Sequence, residues 1–278
     1  MPKLPIVKQI TVDTDLKEMM SAIDEMELYS DEFINKASGS SMKLMFNLAA
    51  YKASADYASA VKTLNEKRPS AKVSKALIRP LFESLIGLQY NALRQDDLYV
   101  LEELLRQSQK NKSDLEDIED FMIEHEVDRV GAIHLSAIRS RETKGDKNID
   151  GLQRSVDQIL GNKKSDYTQK LNKQALAIDS NKPPKKLDDA AFFNYKMLYP
   201  YWSDGVHLGA SGTTSWIELQ GKKLLINNSG EDLSDVKLAV WQAIAIFKDI
   251  SVFTHKQFDM YDETFDKKYQ ALIEKHRP

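Results

Sequence analysis

A short segment near residue 200 brings a hydroxyl, a carboxylate and an imidazole together within five residues. These groups belong to Ser203, Asp204 and His207 in the sequence Tyr-Pro-Tyr-Trp-Ser-Asp-Gly-Val-His. Far upstream, Arg79 and Glu83 lie in an otherwise apolar run. An imidazole can serve as a general base, and a guanidinium can bind phosphate or stabilise developing negative charge. Because an unpaired buried charge is costly, we expect the two segments to be partners in the fold.

Each of these residues also has a purely structural explanation. Arg79 and Glu83 are four residues apart, so on one helix they share a face and can form a structural ion pair. Ser203 and Asp204 can form a turn or a helix cap. His207 can be a core histidine bonded to a backbone carbonyl. The sequence alone leaves both interpretations open.

The composition is that of a soluble globular protein. The chain has 278 residues, of which 42% are hydrophobic and 29% charged, and a formal net charge of −3. No overall field therefore attracts it to nucleic acid, although a local basic site remains compatible with these values. The chain has no cysteine, which excludes disulfides, thiolate metal sites and cysteine nucleophiles.

The motifs that would indicate a cofactor or a metal are missing from the sequence. It contains no glycine-rich phosphate loop, no dinucleotide-binding fingerprint and no His-Glu-x-x-His pair. We therefore predict neither a cofactor nor a bound metal. No stretch approaches the ~18 uninterrupted apolar residues of a membrane span, and the lack of cysteine fits a reducing compartment. We predict a cytoplasmic protein with no membrane partner.

Apolar residues recur at helical spacing along most of the chain, which predicts a mostly α fold. We predict one domain over 1–278, a multi-helix bundle with an N-terminal tail over 1–12. Two apolar runs around Gln-Gly-Lys differ from this pattern and predict a small β-hairpin insertion near residues 214–227.

Two prolines and four predicted helices bear on the site. Pro80 and Pro200 are expected to kink or stop the helices that contain them, since proline lacks an N–H group. The apolar spacing predicts a largely apolar central helix over about 73–93, helices over 97–110 and 114–142, and a long closing helix over about 233–274.

Two segments carry a strong charge bias. Residues 114–128 contain eight carboxylates and no Lys or Arg, and residues 163–186 contain seven lysines and two aspartates. The acidic run is typical of a solvated helix face, because its side chains spread around helical turns and do not converge on one point. The basic run could contact a phosphate backbone, but a solvated surface is the commoner explanation.

The two site segments resemble a bacterial helical family of unknown function. Its pattern is Arg-x-x-x-Glu in an apolar helix, followed much later by an aromatic residue and then Ser-x-x-Val-His. The similarity is loosely ordered over about residues 40–255, and the matching residues are Arg79, Phe82, Glu83, Tyr199, Ser203, Val206, His207 and Gly209. Such proteins are similar to HEPN-like helical bundles, many of which are RNases in toxin–antitoxin and phage-defence systems.

This resemblance implies a metal-independent cleavage of RNA, for which roles can be assigned. His207 is the base that accepts the proton of the 2′-hydroxyl, and Arg79 is the cation that binds the phosphate. Glu83 orients Arg79 or His207, Ser203 donates a hydrogen bond to the phosphate, and Asp204 holds the imidazole tautomer.

The resemblance also implies substrate-binding residues and a secondary site. Tyr201 or Trp202 is expected to stack on an unpaired base, as single-stranded RNA binding commonly requires. HEPN nucleases often carry Arg followed four to six residues later by His, a spacing that Arg129 and His134 match. Val130 stands where that family often has a polar residue. The predicted ligand is single-stranded RNA or a nucleotide.

Two other classes of function remain open. In the first, the protein is a noncatalytic binding or scaffold protein, and Arg79, Glu83 and His207 form a structural network. Its aromatic closing helix would then pack against a protein partner or a second copy, forming a homodimer. In the second, Arg79 and His207 bind a phosphorylated ligand without turnover. A partly open cluster favours ligand binding, whereas a sealed and internally paired one favours the scaffold.

Overall fold

The fold is mostly helical throughout the part of the chain that the computed structural model describes, which confirms the prediction of a mostly α fold. The described residues are 11–39, 41–67, 69–124, 148–203, 217–220, 223–226 and 233–278. The helices are α1 (Thr14–Lys36), α2 (Met42–Lys67), α3 (Ala71–Leu93), α4 (Leu98–Glu124), α5 (148–160), α6 (Leu171–Asn181), α7 (Ala191–Ser203), α8 (Leu233–Gln257) and α9 (Glu263–Lys275). None of them is long and apolar enough to cross a membrane.

The chain divides into two compact units, where the sequence predicts one domain over 1–278. The larger unit takes in the described residues of Met1–Ser40, Leu44–Leu93 and Gln169–Pro278, and the smaller unit those of Ser41–Lys43 and Arg94–Thr168. The described residues of both predicted site segments belong to the larger unit.

Helix α3 is the centre of the larger unit, as its apolar composition predicts. It packs against α6, α7 and α8, and α8 in turn packs against α1 and α9. Its side chains are buried on several sides, including Ile78, Leu81, Phe82, Ile86 and Leu88. A helix that is apolar nearly all round is stable only when other helices cover it, so the sequence of α3 dictates a central position.

The two prolines do not end their helices. Pro80 lies inside α3 and Pro200 lies inside α7, which continues to Ser203. Of the two alternatives predicted for Pro200, that it bends the helix or that it stops it before the Ser-Asp-Gly-Val-His segment, the second is therefore wrong. Trp202 lies two residues beyond Pro200 and is fully buried. Its packing holds the last turn in helical conformation and outweighs the hydrogen bond that the proline removes.

The predicted closing helix over 233–274 is two helices, because α8 ends at Gln257 and α9 begins at Glu263. Asp259 in the connection has a φ of 55°, in the left-handed region that a continuous helix cannot use. Asp262 then caps α9 by accepting hydrogen bonds from the N–H groups of Thr264 (2.8 Å) and Phe265 (3.1 Å). The capping aspartate fixes the start of the second helix.

In the smaller unit, α4 runs without a break from Leu98 to Glu124, where the sequence predicts a break near 111–113. That stretch contains neither proline nor glycine, so nothing interrupts the helix. The rest of the predicted 114–142 helix lies outside the described residues. Leu98, Leu101 and Leu105 of α4 form a small core with Val156 of α5.

Ser165 and Tyr167, in the segment that follows α5, form hydrogen bonds with residues of α4 within the smaller unit. Glu102 accepts hydrogen bonds from Arg94 (2.6 Å) and from Ser165. Glu103 accepts hydrogen bonds from Tyr167 and from Arg106, the latter at 3.0 Å. Burial, together with Glu103, raises the pKa of Tyr167, so its hydroxyl stays protonated at neutral pH.

Two short strands are described within residues 214–227. They are β1 (Ile217–Gln220) and β2 (Lys223–Ile226), and they pair antiparallel with Ile217 opposite Ile226 and Gln220 opposite Lys223.

Candidate functional site

Arg79, Glu83 and Tyr199 form a compact cluster that joins α3 to α7. Arg79 Nε donates a hydrogen bond of 2.8 Å to Glu83 Oε1, and the hydroxyl of Tyr199 donates one of 2.8 Å to the same oxygen. The guanidinium carbon of Arg79 lies 4.9 Å from the centroid of the Tyr199 ring. The two segments that the sequence suggests as partners therefore contact each other at Tyr199, 116 positions from Glu83.

The cluster is neither sealed in the core nor fully exposed. The side chains of Arg79 and Glu83 are 25% and 36% exposed. Burial lowers the pKa of Arg79, but Glu83 and Tyr199 together raise it by more, so the guanidinium stays charged. Burial raises the pKa of Tyr199 to about 12, and its hydrogen bond to Glu83 acts in the same direction. At neutral pH the cluster therefore contains a permanent cation and a protonated phenol.

Helix α7 carries an aromatic face beside this cluster. Tyr195 and Lys196 lie three and four residues after Phe192, Tyr199 lies four residues after Tyr195, and Ser203 four residues after Tyr199. Residues at these spacings share one side of a helix. We call these five residues the α7 aromatic face. The rings of Tyr195 and Tyr199 stack with centroids 5.0 Å apart and an angle of 24°. The Nζ of Lys196 lies 5.5 Å from the ring of Phe192 and 6.0 Å from that of Tyr195.

Ser203 is the last residue of α7 and lies one turn beyond Tyr199. Its Oγ is buried and has no hydrogen-bond partner among the described residues. Asp204 and His207, the next two predicted catalytic residues, lie outside the described residues. The meeting of Arg79 with His207 thus stays a prediction.

The two predicted base-stacking residues have other contacts. The Nζ of Lys75 lies 3.6 Å from the centroid of the Tyr201 ring and covers one of its faces. Trp202 is 0% exposed, packs on Phe82 with ring centroids 5.1 Å apart, and donates a hydrogen bond of 3.0 Å to Gln242. A fully buried indole cannot stack on a base, so the prediction for Trp202 is wrong.

Sequence reasoning missed the tyrosines that do line the cluster. The family pattern includes Tyr199 but gives it no role, and Tyr195 is not among the residues predicted from the sequence. Their spacing of four residues beside Lys196 was the available signal, since it places all three on one side of a helix. The secondary candidates Arg129 and His134 lie outside the described residues, and their pairing stays a prediction.

A second histidine, His255 of α8, lies in the core and also escaped the sequence analysis. It is 0% exposed, and its Nε2 lies 3.2 Å from the hydroxyl of Tyr51. Its Nδ1 has no hydrogen-bond partner among the described residues. Aromatic rings surround the imidazole at centroid distances of 4.3 to 5.6 Å; they belong to Phe33, Tyr29, Phe265 and Tyr51. Burial lowers the pKa of His255 to about 4, although the charge of Asp262 partly opposes this.

This histidine predicts a loss of stability in mild acid. The folded-state pKa lies below the unfolded value of about 6.5, so between these values the unfolded chain binds a proton that the folded protein does not. The free energy of unfolding should therefore fall as the pH falls, by about 2 kcal/mol between pH 7.5 and 5. Urea denaturation of wild type and of His255→Gln at both pH values measures the effect.

The His255→Gln variant separates this contribution from that of the carboxylates. Paired carboxylates such as Asp262 have a lowered pKa, but their contribution is lost mainly below about pH 4 to 5. The variant should thus lose the decrease between pH 7.5 and 5 and keep the one at lower pH. An unchanged decrease in His255→Gln would show that another group is responsible.

Comparison of the chain with protein-family models, with curated proteins and with solved structures finds no match. In the part of the chain that the structure describes, no group of three or more His, Asp or Glu side chains is placed to hold a metal ion. The description of this protein therefore rests on its own structure. It is a mostly helical protein with a partly exposed Arg–Glu–Tyr cluster beside an aromatic helix face.

Proposed function

We propose that this protein is a HEPN-like, metal-independent RNase that binds single-stranded RNA on the α7 aromatic face and serves as a toxin or defence effector. The observation that carries the proposal is the position of Arg79 against Tyr199, which combines a permanent cation with a partly exposed aromatic ring. Single-stranded nucleic acids are bound by such combinations, because cations contact the phosphates while aromatic rings stack on the bases.

Arg79 binds the phosphate in this proposal. A guanidinium has five N–H donors; the bond to Glu83 uses the one on Nε, and the guanidinium also interacts with the hydroxyl of Tyr199. The remaining N–H donors can bind a phosphate. Glu83 fixes both Arg79 and Tyr199 through one carboxylate oxygen, so it positions the cation and the ring relative to each other.

His207 carries the chemical step. It accepts the proton of a 2′-hydroxyl while the 2′-oxygen forms a bond to the adjacent phosphorus, and the bond from phosphorus to the 5′-oxygen breaks. The leaving oxygen takes up a proton, and a 2′,3′-cyclic phosphate remains. Arg79 stabilises the charge that develops on the phosphoryl oxygens, and Ser203 donates a hydrogen bond to them. Asp204 holds the imidazole in the tautomer that can accept the proton.

A noncatalytic binding or scaffold function is the second candidate, and one observation favours it. Glu83 already accepts hydrogen bonds from both Arg79 and Tyr199, so the cluster is partly paired within itself. A structural network has this form, since it needs no outside ligand to satisfy its charges.

Replacing Arg79 by alanine tests the proposal. We expect wild type to degrade total RNA and to bind a fluorescent single-stranded oligonucleotide. Arg79→Ala should weaken binding about tenfold, because it removes a charge-assisted contact to phosphate. It should also reduce the dependence of binding on salt concentration, since one fewer counterion is released. Fluorescence anisotropy at several salt concentrations measures both effects.

The smaller unit offers a matched control, Arg106→Ala. Arg106 and Tyr167 both bind Glu103, so this cluster has the same composition as that of Arg79, Glu83 and Tyr199. It lies in a different unit from the α7 aromatic face. Arg106→Ala should therefore bind RNA as wild type does. Equal loss in both variants, or no binding by wild type, would favour the noncatalytic scaffold.

A further inference from the structure

Lys75 lies beside the cluster of Arg79, Glu83 and Tyr199 and has no role in the function proposed above. It stands four residues before Arg79 on α3, so the two side chains share one face of the helix, with Cβ atoms about 5–6 Å apart. The Nζ of Lys75 lies 3.6 Å from the centroid of the Tyr201 ring, as the guanidinium of Arg79 lies over the ring of Tyr199. Both cations therefore contact rings near the C-terminal end of α7.

Lys75 gives this cluster a net positive charge. Arg79 and Glu83 form an ion pair, whose opposite charges largely cancel for a ligand that approaches from outside. Within the described residues no carboxylate pairs with Lys75, and its ammonium group contacts the uncharged ring of Tyr201. An aromatic ring orients an ammonium group without neutralising it. The attraction of an anion to this cluster therefore depends on Lys75 as well as on Arg79.

Lys75 also has the chemistry to bind a phosphate. Its side chain is partly exposed, and an ammonium group has three N–H donors that phosphate oxygens can accept. Two cations on neighbouring turns of a helix can each bind one phosphate when a short link joins the two phosphates. A nucleic acid strand has this form, because one sugar separates its successive phosphates. A nucleoside diphosphate has it too, because one oxygen joins its phosphates.

We propose that Lys75 and Arg79 bind two neighbouring phosphate groups of one ligand, which makes Lys75 a second phosphate-binding residue of this site. The choice of an RNA strand as that ligand rests on the proposed function. Lys75 then binds the phosphate next to the one that Arg79 binds, while bases stack on the α7 aromatic face.

Short strands with a single neutral linkage test this proposal. A deoxytrinucleotide has two phosphates and cannot be cleaved at a 2′-hydroxyl, and a methylphosphonate linkage removes the charge of either one. Wild type should bind each neutralised trinucleotide about tenfold more weakly than the parent, as measured by calorimetry. Lys75→Gln should bind the parent about tenfold more weakly than wild type does. One neutral linkage should cost this variant much less, because a single cation remains to be matched.

The salt dependence of binding provides a second measurement. Loss of one phosphate contact should reduce the slope of log Kd against log salt concentration by about 0.7 in Lys75→Gln. Lys75→Arg keeps a cation at this position and should bind as wild type does. The matched control is Lys256→Gln, which removes an ammonium group 4.7 Å from the ring of Tyr261, at the end of α8 and outside this site. It should leave both the affinity and the slope unchanged.

The outcomes distinguish the role of Lys75 from the proposed function. If wild type binds the trinucleotide and Lys75→Gln binds it equally well, or if one neutral linkage costs both proteins the same, the role of Lys75 is overturned while RNA binding stands. If wild type binds ADP but no oligonucleotide, and Lys75→Gln binds ADP more weakly, Lys75 keeps its role and the RNase proposal fails. Binding of neither ligand overturns both.

Discussion

Replacing His207 by alanine should abolish RNA cleavage while RNA binding and folding are retained. A positioned general base accelerates proton transfer by about 10²- to 10⁴-fold, and water is a poor substitute for it at neutral pH. We therefore expect the rate of single-turnover cleavage to fall about a thousandfold. Binding should stay close to that of wild type, because Arg79 and the α7 aromatic face are unchanged. Quench-flow cleavage of a labelled oligonucleotide, beside anisotropy on an uncleavable 2′-deoxy analogue, measures the two effects separately.

A second histidine variant makes the His207 experiment specific. His276 bonds to Glu18 at 3.1 Å in the larger unit, away from α3 and α7 in sequence, so His276→Ala removes an imidazole without touching the proposed site. It should cleave RNA as wild type does. If purified His207→Ala cleaves RNA at the wild-type rate, His207 is not the base, and any activity must come from another residue or from a contaminant.

The positions of many helices could be predicted from the sequence, because the residues of a helix that face the core are apolar and recur every three or four positions. In α1 most apolar residues at helical spacing are buried, among them Leu16, Met19, Met20, Ile23 and Met26. The same logic identified α3 as central. The spacing of apolar residues indicates which residues face the core. In a helical protein this spacing also indicates where most helices lie.

Apolar spacing did not reveal where the last helix is interrupted, since the pattern crosses the break. Phe258 is partly buried against the core and Phe265 is buried, so aromatic residues continue on both sides of Asp259. The decisive residues are polar: Asp259 adopts the left-handed conformation and Asp262 caps α9. Two aspartates in Phe-Asp-Met-Tyr-Asp-Glu were the available signal, because aspartate favours caps and turns over helix interiors.

The sequence predicted that the segment of Arg79 and Glu83 contacts the segment that begins at Tyr199. It did not predict which side chains make the contacts. The argument that Arg79 and Glu83 need polar partners pointed to the later segment, and Tyr199 supplies one. Neighbouring aromatic residues at 199, 201 and 202 look equivalent in a sequence. Tyr199 and Trp202 are three residues apart, so both lie on the side of α7 that contacts α3. Trp202 packs on the buried ring of Phe82, whereas Tyr199 contacts the partly exposed Arg79 and Glu83.

Replacing Trp202 by alanine should destabilise the larger unit severely. Trp202 is fully buried, and the loss of a buried tryptophan costs about 3–5 kcal/mol through lost packing and the cavity left behind. The change also leaves the buried Gln242 without the donor at 3.0 Å, which adds a penalty of about 1–3 kcal/mol. Domains are stable by only about 5–15 kcal/mol, so the variant should be partly unfolded at 37 °C. Urea denaturation followed by circular dichroism measures the loss.

Two further variants separate the contributions of packing and of hydrogen bonding to the stability that Trp202 provides. They also test whether Trp202 could stack on an RNA base. Trp202→Phe keeps a ring against Phe82 but removes the indole N–H, so it should lose less stability than Trp202→Ala. Tyr199→Ala removes a partly exposed ring instead, and it should reduce RNA binding more than stability. If Trp202→Ala were as stable as wild type and bound RNA more weakly, the indole would have to be a base-stacking residue and the buried position assigned to it would be wrong.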